Sequence, residues 1–355
     1  MEPFKNLYQK KSVTEIADAI GSAYSEFKRD QFIKDATQGI NKLELKDRVK
    51  LISKALTEHL TPNYERNIKI ILKATEDQLS GFLVWPLTTY IENNGIEHFE
   101  TSFHAMEHLT QVFTAEFCIR PFIEHNDKKA FKILHSWKKH KNHHVRRLVS
   151  EGSRPHLPWG IKVAKINENL ARNIKLIKGL ENDESLYVRK SVANHLNDIS
   201  KLDTELFFDT VESFKENENS DWVKRHASRT LLKKAHPRAL ELHGYKPIPK
   251  SIDLNFKVLK DKITEGDNLP IELQIKLPKA QNLLIEYIIH YKKSNGAYSE
   301  KVFRLRDIKN KSKVDLLKNI SFKKVTTRVH YEGEHYIEIQ VNGKRFAKKK
   351  FYLSL

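Results

Sequence analysis

Three carboxylates stand out by context in the 355-residue chain. An acid set among apolar or basic neighbours can orient or deprotonate a water and can stabilise a developing positive charge. Glu116 lies in Val112-Phe113-Thr114-Ala115-Glu116-Phe117-Cys118-Ile119-Arg120-Pro121-Phe122, which reads as an apolar helix ended by Pro121. The plainer role for this acid is a helical i,i+4 pair with Arg120. Glu151 precedes Gly152, which reads as a helix C-cap. An acid there faces the negative end of the helix dipole and needs a reason, and Arg147 one turn back is the obvious neighbour. Asp198 ends the polar run Asn194-His195-Leu196-Asn197-Asp198, where capping or packing between repeats is the plainer role.

Next to Glu151 runs the turn-rich loop Gly152-Ser153-Arg154-Pro155-His156-Leu157-Pro158-Trp159-Gly160. Trp159 suits stacking on a base or deoxyribose and equally suits burial, while Arg154 suits a phosphate. Two metal readings compete. His104-Ala105-Met106-Glu107-His108 matches the H-x-x-E-H pattern of one zinc-enzyme class, but such five-residue patterns arise by chance among seventeen histidines. His140, His143 and His144 sit among Lys138, Lys139 and Lys141, which would repel a divalent cation, so a solvated basic face is the better reading. No metal or cofactor is expected.

These residues need elements to position them. Up to residue 246 the apolar period is helical, as in Ile16, Ile20, Tyr24, Phe27 and in Val49, Ile52, Leu56, Leu60. The half repeats internally: His144-Val145-Arg146-Arg147, Tyr187-Val188-Arg189-Lys190 and Trp222-Val223-Lys224-Arg225 place their valines 43 and 35 residues apart. That spacing fits two-helix HEAT-type units. The adjacent basic pairs could line a concave face, contacting phosphates through Arg146, Arg147, Arg189, Lys190, Lys224 and Arg225, or could bridge neighbouring repeats through acids.

The segment Gly244-Tyr245-Lys246-Pro247-Ile248-Pro249-Lys250 interrupts any helix and marks a domain boundary, giving residues 1–246 and 247–355. Beyond it the period drops to two, as in Leu269, Ile271, Leu273, Ile275, Leu277, and Asn342-Gly343 signals a type I′ hairpin. Seven or eight short strands are expected here, in an immunoglobulin-like β-sandwich without the core tryptophan and disulfide of antibody domains. The fold class is therefore multidomain, an α-solenoid of HEAT-like repeats followed by a β-sandwich.

Lys+Arg number 63 against 45 Asp+Glu, a net charge of +18 that favours a polyanionic partner such as nucleic acid or an acidic membrane surface. The segment after residue 247 carries 23 against 12, net +11, which leaves 40 against 33, net +7, before it. Lys344-Arg345 with Lys348-Lys349-Lys350, and Lys323-Lys324 with Arg328, suit phosphate contacts or simple solubility. A mean hydropathy of −0.59 with no long apolar run argues against a membrane span or secretory leader, and a lone Cys118 favours a reducing cytoplasm.

Residues 116–122, 145–159 and 187–198 resemble the DNA alkylation repair glycosylases, specifically the AlkC branch, over roughly residues 1–245. Some members of that branch similarly add a basic immunoglobulin-like domain. The resemblance implies a HEAT-like solenoid that excises cationic N-alkylated bases from double-stranded DNA in base excision repair. The bases implied are 3-methyladenine, 3-methylcytosine and 1-methyladenine, recognised without flipping into a deep pocket. It further implies that Glu116, Glu151 and Asp198 are the active-site acids, with Arg147 supporting them and Trp159 against the lesion nucleotide. Arg154 and Lys344 with Arg345 join the expected DNA contacts. A cytoplasmic monomer that associates with the nucleoid when bound to DNA is expected. The rival reading is a HEAT-repeat nucleic-acid binder without catalysis, and the two part on whether the three acids converge.

Overall fold

Apolar residues at three- and four-residue spacing give the first part of the chain its helices. Residues 3–76, 78–325 and 328–355 are described by the computed structural model, and among them lie sixteen α-helices followed by six β-strands. The helices are α1 Lys10–Ala23, α2 Arg29–Thr37, α3 Leu45–His59, α4 Tyr64–Glu76, α5 Trp85–Asn94, α6 Phe99–Val112, α7 Ile119–His125, α8 Asp127–Trp137, α9 His143–Gly152, α10 Ala164–Asn167, α11 Leu170–Ile177, α12 Leu186–Leu202, α13 Thr204–Glu212, α14 Glu218–Ala227, α15 Arg229–Lys233 and α16 Pro237–Leu242. No helix among the described residues is long and apolar enough to cross a membrane.

Each copy of the internal repeat falls on a helix, namely α9, α12 and α14, and the valines at 145, 188 and 223 are fully buried where α12 packs against both neighbours. The run Ile16 to Phe27 is shorter than expected as a helix: α1 stops at Ala23, and Tyr24 and Phe27 follow it on either side of a turn at Ser25 and Glu26, closed by the Phe27 N–H donating to the Tyr24 carbonyl at 3.0 Å.

One expectation fails in a way that matters for the site. The stretch Val112–Phe122 is not one helix, because α6 ends at Val112, residues 113–118 form a link, and α7 begins at Ile119. Pro121 therefore sits in the first turn of α7 instead of ending a helix, at a position where its missing N–H has no helical partner to lose. Glu116 lies in the link and is free of any helical register with Arg120.

The chain divides into two compact units, Met1–Ala227 and Ser228–Leu355. Residues 228–246 thus group with the strands, whereas the composition shift had placed them with the repeats. Three contacts tie them there. The Tyr245 hydroxyl donates to Asp307 at 2.7 Å, the Asn342 side-chain amide donates to the Lys246 carbonyl at 2.8 Å, and Gly343 abuts Ala235 and Leu240 closely enough that a Cβ would lie within 3 Å of both.

The strands are β1 Asp253–Val258, β2 Lys262–Thr264, β3 Asn268–Lys292, β4 Tyr298–Ser321, β5 Gly333–Val341 and β6 Lys344–Ser354. There are six instead of seven or eight, because β3 and β4 run 25 and 24 residues. The first half of β3 pairs with β1 and the second half of β4; its second half pairs with the first half of β4 and with β5, which continues to β6 and β2. Register shifts between Lys276 and Leu283 let one continuous hairpin serve both halves. Leu269, Ile271, Leu273 and Ile275 meet Ile337, Ile339, Val341, Phe351 and Leu353 in a single core. Between β5 and β6, Asn342 and Gly343 adopt φ of 43° and 80°, the two positive values of the expected turn.

Candidate active site

Helix α9 buries Val145, Leu148 and Val149 and leaves Arg147 and Glu151, one turn apart, on an adjoining stripe. Helix α12 packs on α9 and supplies Ser191 and, two turns further, Asp198. The link before α7 supplies Thr114 and Glu116. These segments bring the three expected acids into one chain of ion pairs. The Arg147 guanidinium contacts Glu116 directly and lies 3.6 Å from Glu151; Arg154 donates to Glu151 at 2.7 Å and to Asp198 at 2.9 Å; Lys201 reaches Asp198 at 3.2 Å. Hydroxyl groups complete the set. Thr114 donates to Glu116 at 2.9 Å and accepts from Arg147 at 3.0 Å, and Ser191 donates to Glu151 at 2.6 Å.

Three acids thus alternate with three cations. Burial alone would raise the Glu151 carboxyl, but Arg147, Arg154 and the Ser191 hydroxyl together outweigh it and hold the group below its ordinary range. Glu151 is therefore ionised at neutral pH. The acids differ in access: the Glu116 side chain is 13% exposed, Glu151 8% and Asp198 2%.

Arg120 has a different task from the helical pair expected for it. It is 1% exposed and donates to three main-chain carbonyls, those of Ile161 at 2.8 Å and of Gly152 and Arg154 at 2.9 Å. Burial, reinforced by Arg154, pushes it down to about 10, so it remains charged. It fastens both ends of the loop that carries Arg154 and Trp159. Gly152 is likewise no left-handed C-cap, since it is the last residue of α9 and Ser153 caps the helix. A Cβ at Gly152 would lie 2.5 Å from Ile119, so close approach of α9 to α7 is what demands glycine.

His195, on the face of α12 against α9, is fully buried and donates through Nδ1 to the Ser150 carbonyl at 3.0 Å. Burial pushes it down to about 4. An exposed histidine titrates near ~6.5, so as pH falls the unfolded chain gains the proton first. Stability is intact above ~6.5 and is lost between ~6.5 and about 4, amounting to about 3 kcal/mol. Urea unfolding of wild type and His195→Gln at pH 7 and 4.5 checks this. The wild type should lose more stability than the variant, and equal losses would refute the assignment.

The basic pairs of the repeats divide their roles. Arg146 is a correction to the phosphate contacts expected from sequence, because it is buried in a bidentate pair with Asp183 at 2.6 and 2.9 Å and also bonds the His140 and Lys141 carbonyls. Arg189 likewise bonds the carbonyls of Asp183 and Glu184, and Lys224 lies 3.6 Å from Asp221. The first member of each pair thus ties its repeat to nearby loop or helix groups. The second members differ: Arg147 joins the acids, Lys190 is exposed and Arg225 is half-buried. Arg154, buried between two carboxylates, is no phosphate grip either. Lys344 is exposed, and Arg345 pairs with Glu300 and Glu338. Of the histidine patterns, Glu107 of H-x-x-E-H lies 3.1 Å from His140 and so links α6 to the turn before α9.

Residues 39–231 match the family model described as DNA alkylation repair enzyme, and residues 253–355 match that of the YhaZ C-terminal Ig-like domain. The chain is 36% identical over 349 residues, 97% of each sequence, to the uncharacterized protein YhaZ of Bacillus subtilis strain 168. The chain belongs to the DNA alkylation repair enzyme family. Among solved structures it is similar to the alkylpurine DNA glycosylase AlkC of Pseudomonas fluorescens, bound to DNA containing an abasic site analogue, with a TM-score of 0.94, 31% identity and complete coverage of both chains.

This DNA alkylation repair enzyme also has residues near the loop that its sequence did not single out. Trp159 is 58% exposed, in left-handed backbone with φ of 66°, and its ring lies parallel to that of Trp85. Trp85, Phe117, Glu92 and Lys46, Lys50 and Lys54 of α3 line the adjoining cleft. The lysines recur every four residues, a spacing visible in the sequence. Nothing local in it marked Trp85 or Glu92.

Proposed function

We propose that the protein is a DNA glycosylase that hydrolyses the N-glycosidic bond of cationic N-alkylated bases, namely 3-methyladenine, 3-methylcytosine and 1-methyladenine, without drawing the base into a deep pocket. The observation that carries this reading is the convergence of Glu116, Glu151 and Asp198 through Arg147 and Arg154, beside a loop that presents Trp159 to solvent.

A cationic base needs no proton to leave, because the electron pair of the breaking N–C1′ bond neutralises its ring. The barrier lies in positive charge developing on the deoxyribose, and nearby carboxylates stabilise that charge. Glu151 is the water-positioning acid in this reading: it is ionised, and it is held from two sides by Arg147 and Arg154. Water adds to C1′ and yields its proton to the carboxylate. Asp198, the least exposed of the three, fixes Arg154 from behind, and Glu116 with Thr114 fixes Arg147. Trp159 stands against the lesion nucleotide.

Incubating the purified protein with methylated DNA and identifying the released bases by chromatography tests the proposal. Release of the three bases is expected, and DNA left intact refutes it. For the grip on DNA, Lys190 and Lys344 are the exposed lysines among the basic residues expected to meet phosphates. Replacing either by Ala is expected to lower the slope of log affinity against log salt by up to about 1, with lesion preference unchanged. Salt titrations of duplex binding measure it.

A further inference from the structure

Helix α12 carries Tyr187, Ser191, His195 and Asp198 at helical spacing along one stripe. Ser191 and Asp198 have their tasks among the acids, whereas Tyr187 at the head of the stripe has none so far. Its ring lies under the Arg147 guanidinium, whose central carbon is 5.0 Å from the ring centre. His143 and His144 of α9 meet the same ring edge-on, with centres 6.2 and 5.5 Å away. The contact is not a general joint between repeats. An aromatic residue precedes the valine of each copy, as His144, Tyr187 and Trp222, and a basic residue stands two positions after it, as Arg147, Lys190 and Arg225. At the next step, however, Lys190 is exposed and Trp222 stacks on His226 at 5.0 Å, so the pairing does not recur there among the described residues.

Arg147 needs such a hold. It contacts Glu116 and Thr114 directly but stands 3.6 Å from Glu151, just beyond hydrogen-bond reach. With those contacts alone the guanidinium would settle on Glu116. An aromatic face attracts the cation and leaves the N–H groups at its rim to donate in the guanidinium plane. Burial would raise the Glu151 carboxyl, and Arg147 is foremost among the groups that bring it down. We infer that Tyr187 is a positioning residue for excision, holding Arg147 between Glu116 and Glu151 through the face of its ring. The reaction named here rests on the glycosylase reading; the geometry does not. The other groups facing Glu151 are Arg154 from the loop, Ser191 and His195 from α12, and Glu116 from behind Arg147, and a change at Tyr187 leaves all of them in place.

Three forms of the full-length chain test the role: Tyr187→Phe, Tyr187→Leu, and a form with pentafluorophenylalanine at position 187, which keeps the shape of phenylalanine but removes the negative charge of the ring face. Tyr187→Phe is expected to excise alkylated bases from methylated duplex at close to the wild-type single-turnover rate, and the other two about tenfold more slowly. Because Glu151 takes the proton of water only when ionised, its raised carboxyl should carry the acid limb of their pH–rate profiles to higher pH. A carbon-13 NMR titration of the Glu151 carboxyl, which needs no excision, should move the same way. Should the leucine form fail to fold, the phenylalanine and fluorinated forms decide alone. Equal rates in those two, a phenylalanine form as slow as the leucine form, or a titration that stays in place overturns the role. A titration that moves in a protein without excision leaves the role of Tyr187 toward Arg147 standing and refutes the glycosylase.

Discussion

Glu151→Gln is expected to slow single-turnover excision of an alkylated base by about 10²- to 10⁴-fold. The amide keeps the volume of the side chain and its reach to Ser191, but it removes the charge and can turn an N–H toward Arg154, which already donates there at 2.7 Å. Asp198→Asn should fall in the same range for a different reason: Arg154 loses the partner that aims it, and the arginine then competes less well for Glu151. Glu116→Gln should cost less, since Arg147 retains Thr114 and Glu151. Because Arg154 is shared, the Glu151→Gln, Asp198→Asn double variant should lose less than the product of the single losses. Rates of base release with enzyme in excess decide these points. Undiminished rates for all three acids would remove them from the chemistry.

Arg120→Met is expected to lower stability by about 3–5 kcal/mol, since three buried carbonyls lose their donor at once. Arg120→Lys should recover little of this, although it keeps the charge, because one ammonium cannot span the carbonyls of Gly152, Arg154 and Ile161 that the planar guanidinium reaches. Gly160 belongs to the same arrangement, as a Cβ there would lie 3.2 Å from the Arg120 side chain. Denaturant unfolding of the two variants tests the fastening role. A lysine variant as stable as wild type would show that charge, not the fork of donors, is what the loop needs.

The repeats, the helical period and the Asn342-Gly343 turn were legible because each is written in neighbouring positions. The sandwich was legible as alternation, but its strand count was not, because register shifts near Lys276 and Leu283 let strands continue where composition suggests a break. Glu116, Glu151 and Asp198 could be singled out, yet the partners of Glu116 could not. Its expected pairing with Arg120 assumed a helix that ends at Val112, and the arginine it meets lies thirty-one positions away. The split roles of Arg146 and Arg147 were equally hidden, since the side of α9 that faces Asp183 is settled by packing on α12, not by charge.

The long β3–β4 ladder carries a consequence for how the second unit assembles. Its pairing grows outward from a tight connection where Lys293 and Ala297 bond at 2.8 Å, so closure of each further rung adds little loop entropy. A sandwich built from separate short strands must search for distant partners, and that search makes such folds slow. The pairing of β3 with β4 along both halves predicts that this hairpin forms before β1, β5 and β6 join its edges. Folding speed in this unit should therefore be far more sensitive to changes at residues 293–297 than to equally destabilising changes in β1.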